Sequence, residues 1–418
     1  MSKPTLLFRG PVETRSGYGA HARDLLESLH QMDMFDIKID SCAWGYTPRT
    51  ALENDNIFHT WIKSNIVKSF VGLPDLYIQV TVPNEFQRLG KFNIGVTAGI
   101  ETTVAPKSWV DGCNKMDLII TTSKFSKDVL LQTVYNEAEK VTGKIVGQYR
   151  IEKPILVLFE GVDTNIYKNV GDEFDLDIKE DFAYLFVGHW LRGDLGQDRK
   201  DVGMLIKCFM DAFNGVENPP ALVLKTSRAT FSIKEREELR NKIESLCVGY
   251  NNPPSVYLLF GEMTNCEMNS LYNHSKIKSM VSITKGEGFG RPLLEFTMTG
   301  KPVISSNWSG QKDFLPMDKA IMIGGTLVEI HDSVIDDFII KGSKWFRANY
   351  NEFIEVLRIV KRDYEDIKKK SEDLRIVNSE NFSLSKMTEK FKEILLPYLG
   401  EKPKEHKIQL PKLTKVKQ

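Results

Sequence analysis

Residues 285–303 read KGEGFGRPLLEFTMTGKPV. An apolar run, MVSI at 280–283, leads into the stretch, and a second, PVISS at 302–306, leaves it. A strand therefore ends near Ile283, a loop spans TKGEGFGRP, and a helix starts near Pro292, a residue favoured at the first helical position. Gly286, Gly288 and Gly290 let backbone N–H groups approach a ligand without interference from a Cβ. A helix N-terminus behind such a loop favours negative charge, so phosphate is the natural occupant. Glu287 and Glu295 would repel phosphate. Their natural partners are hydroxyl groups, since a carboxylate accepts strong charge-assisted hydrogen bonds from them. Phosphate flanked by two polyhydroxy groups describes a sugar nucleotide.

Strand-like runs on either side set the fold class. TLLF at 5–8, LYIQV at 76–80, IGVT at 94–97, LIITT at 118–122 and ILVLF at 155–159 form a first series. FAYLFVG at 182–188, ALVLK at 221–225, SVYLLF at 255–260, MVSI and PVISS form a second. Near-continuous apolar runs belong to strands buried on both faces, the parallel-sheet pattern. Between them Ala22, Leu25, Leu26 and Leu29 repeat at helical spacing, as do Leu205, Phe209 and Ala212. Alternating β and α elements imply two α/β halves with a cleft between the carboxyl edges of their sheets. The boundaries expected are 1–170 for the first domain and 171–378 for the second. A final helix over 379–400 carries Leu384, Met387, Phe391, Ile394 and Leu395 on one face, and 401–418 is a basic, disordered tail. The acidic segment NVGDEFDLDIKED at 169–181 is the linker.

Composition narrows the function classes. The 418 residues carry 56 basic and 56 acidic side chains, so no global field recruits nucleic acid or an anionic membrane. Five scattered cysteines without a CxxC pair argue for reduced thiols in a cytoplasmic compartment. The start, MSKPTLLFRGPVETRSG, is no secretory signal, and no run is long enough to span a membrane. The seven histidines show no metal-ligand spacing. DLD at 175–177 lies in the linker and is read as solvated charge.

E-G-F-G-x-P-x-x-E followed by G-x-P-V-I resembles the signature of retaining glycosyltransferases with the GT-B architecture, the "glycosyl transferases group 1" or family 4 set. The resemblance implies two Rossmann-like domains facing across a cleft, 1–170 binding the acceptor and 171–378 the donor, with the helix over 379–400 returning to the first domain. The resemblance implies that Glu287 contacts the transferred sugar and Glu295 the ribose, while the amides of the Gly288-Phe289-Gly290 turn face the diphosphate and Arg291 is a further donor-binding residue. YLFVGHW…DRKDVG resembles the family's first donor-domain strand and implies Arg199 and Lys200 as diphosphate contacts. His189 stands where many members have arginine, and LRGDLGQ is inserted before Arg199, so Arg192 or Arg199 takes that role. Lys225, closing ALVLK, is a further cation at the cleft. GIETTVAPKSW at 99–109 resembles the block that places Glu101 near the reacting sugar or acceptor. EGVD at 160–163 resembles the family's hinge turn, with Glu160 where His or Asn is usual.

In RSGYGAHARDLL, Gly17 and Gly19 precede a helix and resemble the loop that caps the donor phosphate. The same GxGxxA pattern mimics a dinucleotide fingerprint, with Asp36 or Asp40 as ribose-binding acids. The implied function is sugar transfer from a nucleotide-diphosphate sugar to an acceptor hydroxyl, retaining and metal-independent, with no cofactor beyond that co-substrate. A glycan is the expected acceptor, with a modified DNA base or a protein as the other options. An NAD(P)-dependent oxidoreductase and a non-catalytic sugar-nucleotide-binding protein are the rival readings.

Overall fold

A computed structural model of the chain describes residues 3–139, 142–228 and 231–399. The expected tail at 401–418 lies outside them. The strands are β1 (Thr5–Gly10), β2 (Asp36–Ser41), β3 (Leu76–Val80), β4 (Phe92–Thr97), β5 (Leu118–Thr121), β6 (Tyr135–Ala138), β7 (Ile145–Tyr149), β8 (Ile155–Val157), β9 (Ala183–His189), β10 (Ala221–Ser227), β11 (Val256–Leu259), β12 (Ile277–Ser282), β13 (Val303–Ser306), β14 (Ile321–Ile323), β15 (Gly325–Glu329) and β16 (Lys344–Ala348). The helices are α1 (Gly17–Met32), α2 (Ile57–Asn65), α3 (Lys107–Lys115), α4 (Lys124–Gln132), α5 (Val202–Phe213), α6 (Ile233–Cys247), α7 (Asn265–Asn273), α8 (Arg291–Thr297), α9 (Tyr350–Arg362), α10 (Tyr364–Asn381) and α11 (Leu384–Leu399).

Two six-stranded sheets organise them. The first runs β2-β1-β3-β4-β5-β8 and the second β11-β10-β9-β12-β13-β14. Every pairing within them is parallel. All ten sequence-derived runs coincide with strands of these sheets. The second sheet has the strand order of dinucleotide-binding folds, whereas the first has the flavodoxin-like order. The two halves are thus both doubly wound but not copies of one topology. Each sheet has one switch point where its strand order reverses: β1/β3 in the first and β9/β12 in the second.

The helical faces bury as their spacing requires. Ala22, Leu25, Leu26 and Leu29 pack fully buried against the first sheet, and Leu205, Phe209 and Ala212 against the second. Burying one such leucine or phenylalanine side chain stabilises the fold by about 1.5–3 kcal/mol. α10 stays with the second half, where Asn378 donates to Thr297 Oγ1 at 3.1 Å. The chain then crosses over at Phe382–Ser383. The Val162 amide donates to the Phe382 carbonyl at 2.9 Å, and the Leu384 amide to the Val162 carbonyl at 2.8 Å. α11 packs on α1, burying Met387, Phe391 and Leu395, with Ser28 and Thr388 hydroxyls 2.8 Å apart.

Elements outside the ten runs include edge strands and hairpins. β6–β7 is antiparallel and projects from the first half. β15–β16, also antiparallel, sits at the side of the cleft and touches the first half. There the Thr103 amide donates to the Lys344 carbonyl, and the Lys344 amide to Thr103 Oγ1, both at 2.9 Å. Among the described residues no helix is long and apolar enough to cross a membrane.

Candidate active site

The second switch point collects the charged residues. After β12 the chain runs through Ile283 to Glu287, and after β9 it reaches Arg199 and Lys200. Lys200 Nζ bonds one oxygen of Glu287, and Arg199 stands 3.4 Å from the other. Arg199 also donates to the Gly286 carbonyl at 2.8 Å and pairs with Glu101 of the first half at 3.3 Å. The Glu287 amide donates to Ser309 Oγ at 2.9 Å, which fixes the backbone beneath the carboxylate. Glu287 is buried. Burial alone would raise its carboxyl, but Lys200 and Arg199 outweigh that and hold it below its ordinary value. Burial likewise pulls Lys200 down despite Glu287, whereas Glu101 and Glu287 outweigh burial and raise Arg199. The result is an ionised carboxylate held between two cations, with a second carboxylate facing them across the cleft.

Gly290, at φ +101°, caps α8 in a conformation that glycine adopts without strain. One turn in, Glu295 accepts from Arg291 Nε at 2.8 Å and from the Tyr272 hydroxyl at 3.3 Å. Arg291 also pairs with Asp24 on α1, joining the two halves. Burial raises Glu295 and Asp24, partly offset by Arg291. Glu160, buried two residues before the Val162–Ser383 bridge, is pushed up to about 8 by burial, opposed by Arg291 and reinforced by Asp24 and Glu295. His21, both ring nitrogens buried without a partner, is lowered to about 3 by burial and then by Arg291.

The glycines of the loop serve a contact that local pattern did not show. A Cβ at Gly286 would stand 2.2 Å from the Glu101 carbonyl oxygen, and one at Gly288 would stand 2.4 Å from that of Ala98. Both glycines are therefore where the second half rests on the backbone leaving β4. Ser123 at the start of α4 donates to the Gly288 carbonyl at 2.6 Å, and Ser126 to the Ala98 carbonyl at 2.6 Å. Phe289 is buried against Phe314, ring centroids 5.0 Å apart.

Other predicted positions are divided. Arg192 pairs with Asp336 at the surface, so Arg199 is the arginine that reaches the cluster. His189, at the end of β9, lies 3.2 Å from Ser227 and is lowered by burial and by Lys200. Lys225 bonds the Gly261 carbonyl. Gly17 opens α1 with free space about its Cα, but a Cβ at Gly19 would meet the Thr14 carbonyl oxygen at 2.3 Å. Gly19 is thus required by packing within its own turn. Asp40, offered as a ribose-binding acid, is paired with Arg9 at 3.0 Å, and Asp36 is exposed at the start of β2. Asp175 and Asp177 are exposed. Asp24 and Tyr272 were not singled out in the sequence; both join the Glu295 cluster from distant elements.

Residues 216–337 match the family described as Glycosyl transferases group 1. Among curated proteins, no relative matches this chain. Solved structures match along nearly its whole length. HepE of Anabaena, in complex with UDP and glucose, is 14% identical with a TM-score of 0.59, covering 94% of this chain and 100% of that one. A glycosyltransferase of Rickettsia africae is 13% identical with a TM-score of 0.62, covering 96% and 100%. Sucrose-phosphate synthase of Thermosynechococcus elongatus is 12% identical with a TM-score of 0.62, covering 95% and 99%. The chain has the GT-B fold. Its glutamate–cation cluster lies at the end of the second sheet, partly inside the matched segment.

Proposed function

We propose that the protein transfers a sugar from a nucleoside-diphosphate sugar to an acceptor hydroxyl, with retention at the anomeric carbon. The observation that carries this reading is Glu287 held ionised by Lys200 and Arg199 at the second switch point, with Glu101 facing it. The match at 216–337 and the UDP and glucose bound to HepE support the same chemistry.

The residues divide the work by charge. Arg199 and Lys200 stabilise the negative charge that grows on the departing diphosphate, the type of pre-organised electrostatics that lowers barriers most. Because two cations already stand there, the reaction proposed is metal-independent and needs no cofactor. Glu287 orients the sugar hydroxyls and Glu295 the ribose, while His189, Lys225, Gly17 and the turn Gly288–Arg291 complete the donor site. The acceptor hydroxyl attacks on the face the diphosphate leaves, and the leaving phosphate oxygen takes its proton. The contact of Gly286 and Gly288 with the first half closes the cleft and keeps water from the donor. All five cysteines are unpaired, which supports a reducing, cytoplasmic setting.

A thermal-shift panel of UDP-, GDP-, ADP- and TDP-sugars tests the reading. A ligand that binds only the folded state stabilises it by RT ln(1 + [L]/Kd). One sugar nucleotide should raise the melting temperature of the wild type, and Glu295→Ala should lose that response. A shift with NAD(P) and none with any sugar nucleotide would overturn it.

A further inference from the structure

The first sheet has its own switch point, between β1 and β3, and ligands of open α/β sheets bind at the carboxyl edge of such points. A cavity of about 450 Å³ lies there, within the size range of small-molecule sites. Arg9 of β1, Gln79 and Thr81 at the end of β3, Cys42 after β2, and Asn84 and Glu85 after β3 line it. The lining offers donors and acceptors of both signs. Arg9 is balanced by Asp40 at 3.0 Å, and Thr81 donates to Glu85 at 2.6 Å. The Tyr77 hydroxyl, within the electrostatic reach of Arg9, Asp40 and Cys42, is buried without a hydrogen-bond partner.

Next to the cavity-lining Cys42 and Ala43, an aromatic pair reaches the segment that leads to Glu101. Two residues beyond Cys42, the partly exposed Trp44 ring stacks on Tyr18, centroids 4.1 Å apart. The Tyr18 hydroxyl lies 3.0 Å from Thr97 Oγ1 and accepts from the Ala98 amide at 3.1 Å. Tyr18 therefore abuts the segment that carries Glu101. Tyr46, on the same loop as Trp44, is 89% exposed. From β1 to β4 the sheet advances two strand spacings, about 10 Å, more than a single sugar ring occupies.

We infer that the cavity and the Trp44–Tyr18 pair bind the acceptor, and that this acceptor is a neutral glycan of at least two residues. The inference rests on the glycosyl-transfer reading and names the substrate on its acceptor side. Aromatic faces suit the C–H faces of sugar rings, and a lining of mixed donors and acceptors suits their hydroxyls. A nucleic acid would require cations free to neutralise phosphates. Of the cavity's two lining cations Arg9 is paired with Asp40, which leaves the single charge of Lys115, too few for a nucleic-acid backbone, and Arg49 and Arg88 nearby are paired with Glu13 and Asp117.

The test measures tryptophan fluorescence and melting of the full chain with maltotriose, cellotriose and chitotriose. Glucose and N-acetylglucosamine serve as single-ring controls, and a duplex oligonucleotide bearing 5-hydroxymethylcytosine as the nucleic-acid arm. Wild type, Trp44→Ala and Asn84→Ala are compared, Asn84 being an exposed residue of the lining. At least one trisaccharide should bind more tightly than its single ring, and each substitution should weaken it about tenfold, near the worth of one aromatic or polar contact. The melting shift given by the sugar-nucleotide donor should be unchanged in both variants, which also shows that they fold. Trisaccharide binding that ignores both substitutions, no response to any glycan, or binding of the duplex instead would overturn the inference. Glycan binding without any donor shift would instead sink sugar transfer while leaving a glycan site.

Discussion

Gly288→Ala tests whether the glycine loop is shaped by the contact between halves. The added Cβ would stand 2.4 Å from the Ala98 carbonyl oxygen, and Cβ contacts below 3.0 Å essentially do not occur. The obstacle is backbone, so no rotamer change relieves it, and the halves must part by at least about 0.6 Å at that point. Overpacking of this kind costs about 1–3 kcal/mol. The 2.6 Å bond from Ser123 to the Gly288 carbonyl is strained by the same movement, adding about 1 kcal/mol. The sum, about 2–4 kcal/mol, lowers the melting temperature by roughly 2–5 °C if the chain unfolds as one unit. Calorimetry reads the shift, and small-angle scattering reads the opening of the cleft. Gly17→Ala, where a Cβ meets nothing within 4 Å, is the control and should melt as wild type. If Gly288→Ala melts and scatters as wild type and loses only donor binding, the glycine serves the ligand alone and the argument fails.

Three further outcomes follow from the charges. Glu160 has a folded value of about 8 against an ordinary 4.5, so its contribution to stability is fully present below pH 4.5 and is lost as pH rises through about 8. The difference bounds the effect at roughly 5 kcal/mol. Glu160→Gln should remove that decline, visible as a gain in melting temperature over wild type at pH 9 and little difference at pH 5. Arg291→Leu leaves Asp24 and Glu295 buried without their cation and should destabilise by about 3–5 kcal/mol, measured by urea unfolding. Asp24→Asn together with Arg291→Leu should recover part of that loss. Glu287→Gln should lower kcat about 100-fold or more, read in a donor-consumption assay, and should also lower the melting temperature because Lys200 loses its buried partner; an unchanged kcat would remove Glu287 from the chemistry.

Much of the fold was legible because parallel strands buried on both faces leave unbroken apolar runs. β2 leaves no such run because DIKIDS alternates polar and apolar residues at the edge of its sheet, and β14 none because it is only three residues long. The β15–β16 hairpin lies beside a small cluster of its own, Ile330, Val334 and Trp345, outside either sheet's pattern. At the site, Glu287, Glu295, Arg199 and Lys200 lie in recognisable spacings. The pairing of Arg291 with Asp24 spans 267 positions and has no local signature. The glycines illustrate the same limit. A missing side chain announces a close approach, but only the folded chain shows that the approaching group is the backbone of the other half.

The crossover at Phe382–Ser383 has a consequence for how the protein is made. The core of the first half is complete only when α11 has docked on α1, and the β-bridge joins Val162 to Ser383. Residues 163–395 must therefore leave the ribosome before that core can close. At about 5–20 residues per second, this delay is roughly 10–50 s. During it the α1 surface that will receive Met387 and Phe391 waits uncovered, while the second half can already assemble. Order of synthesis and order of completion are thus reversed: the half made first is finished last.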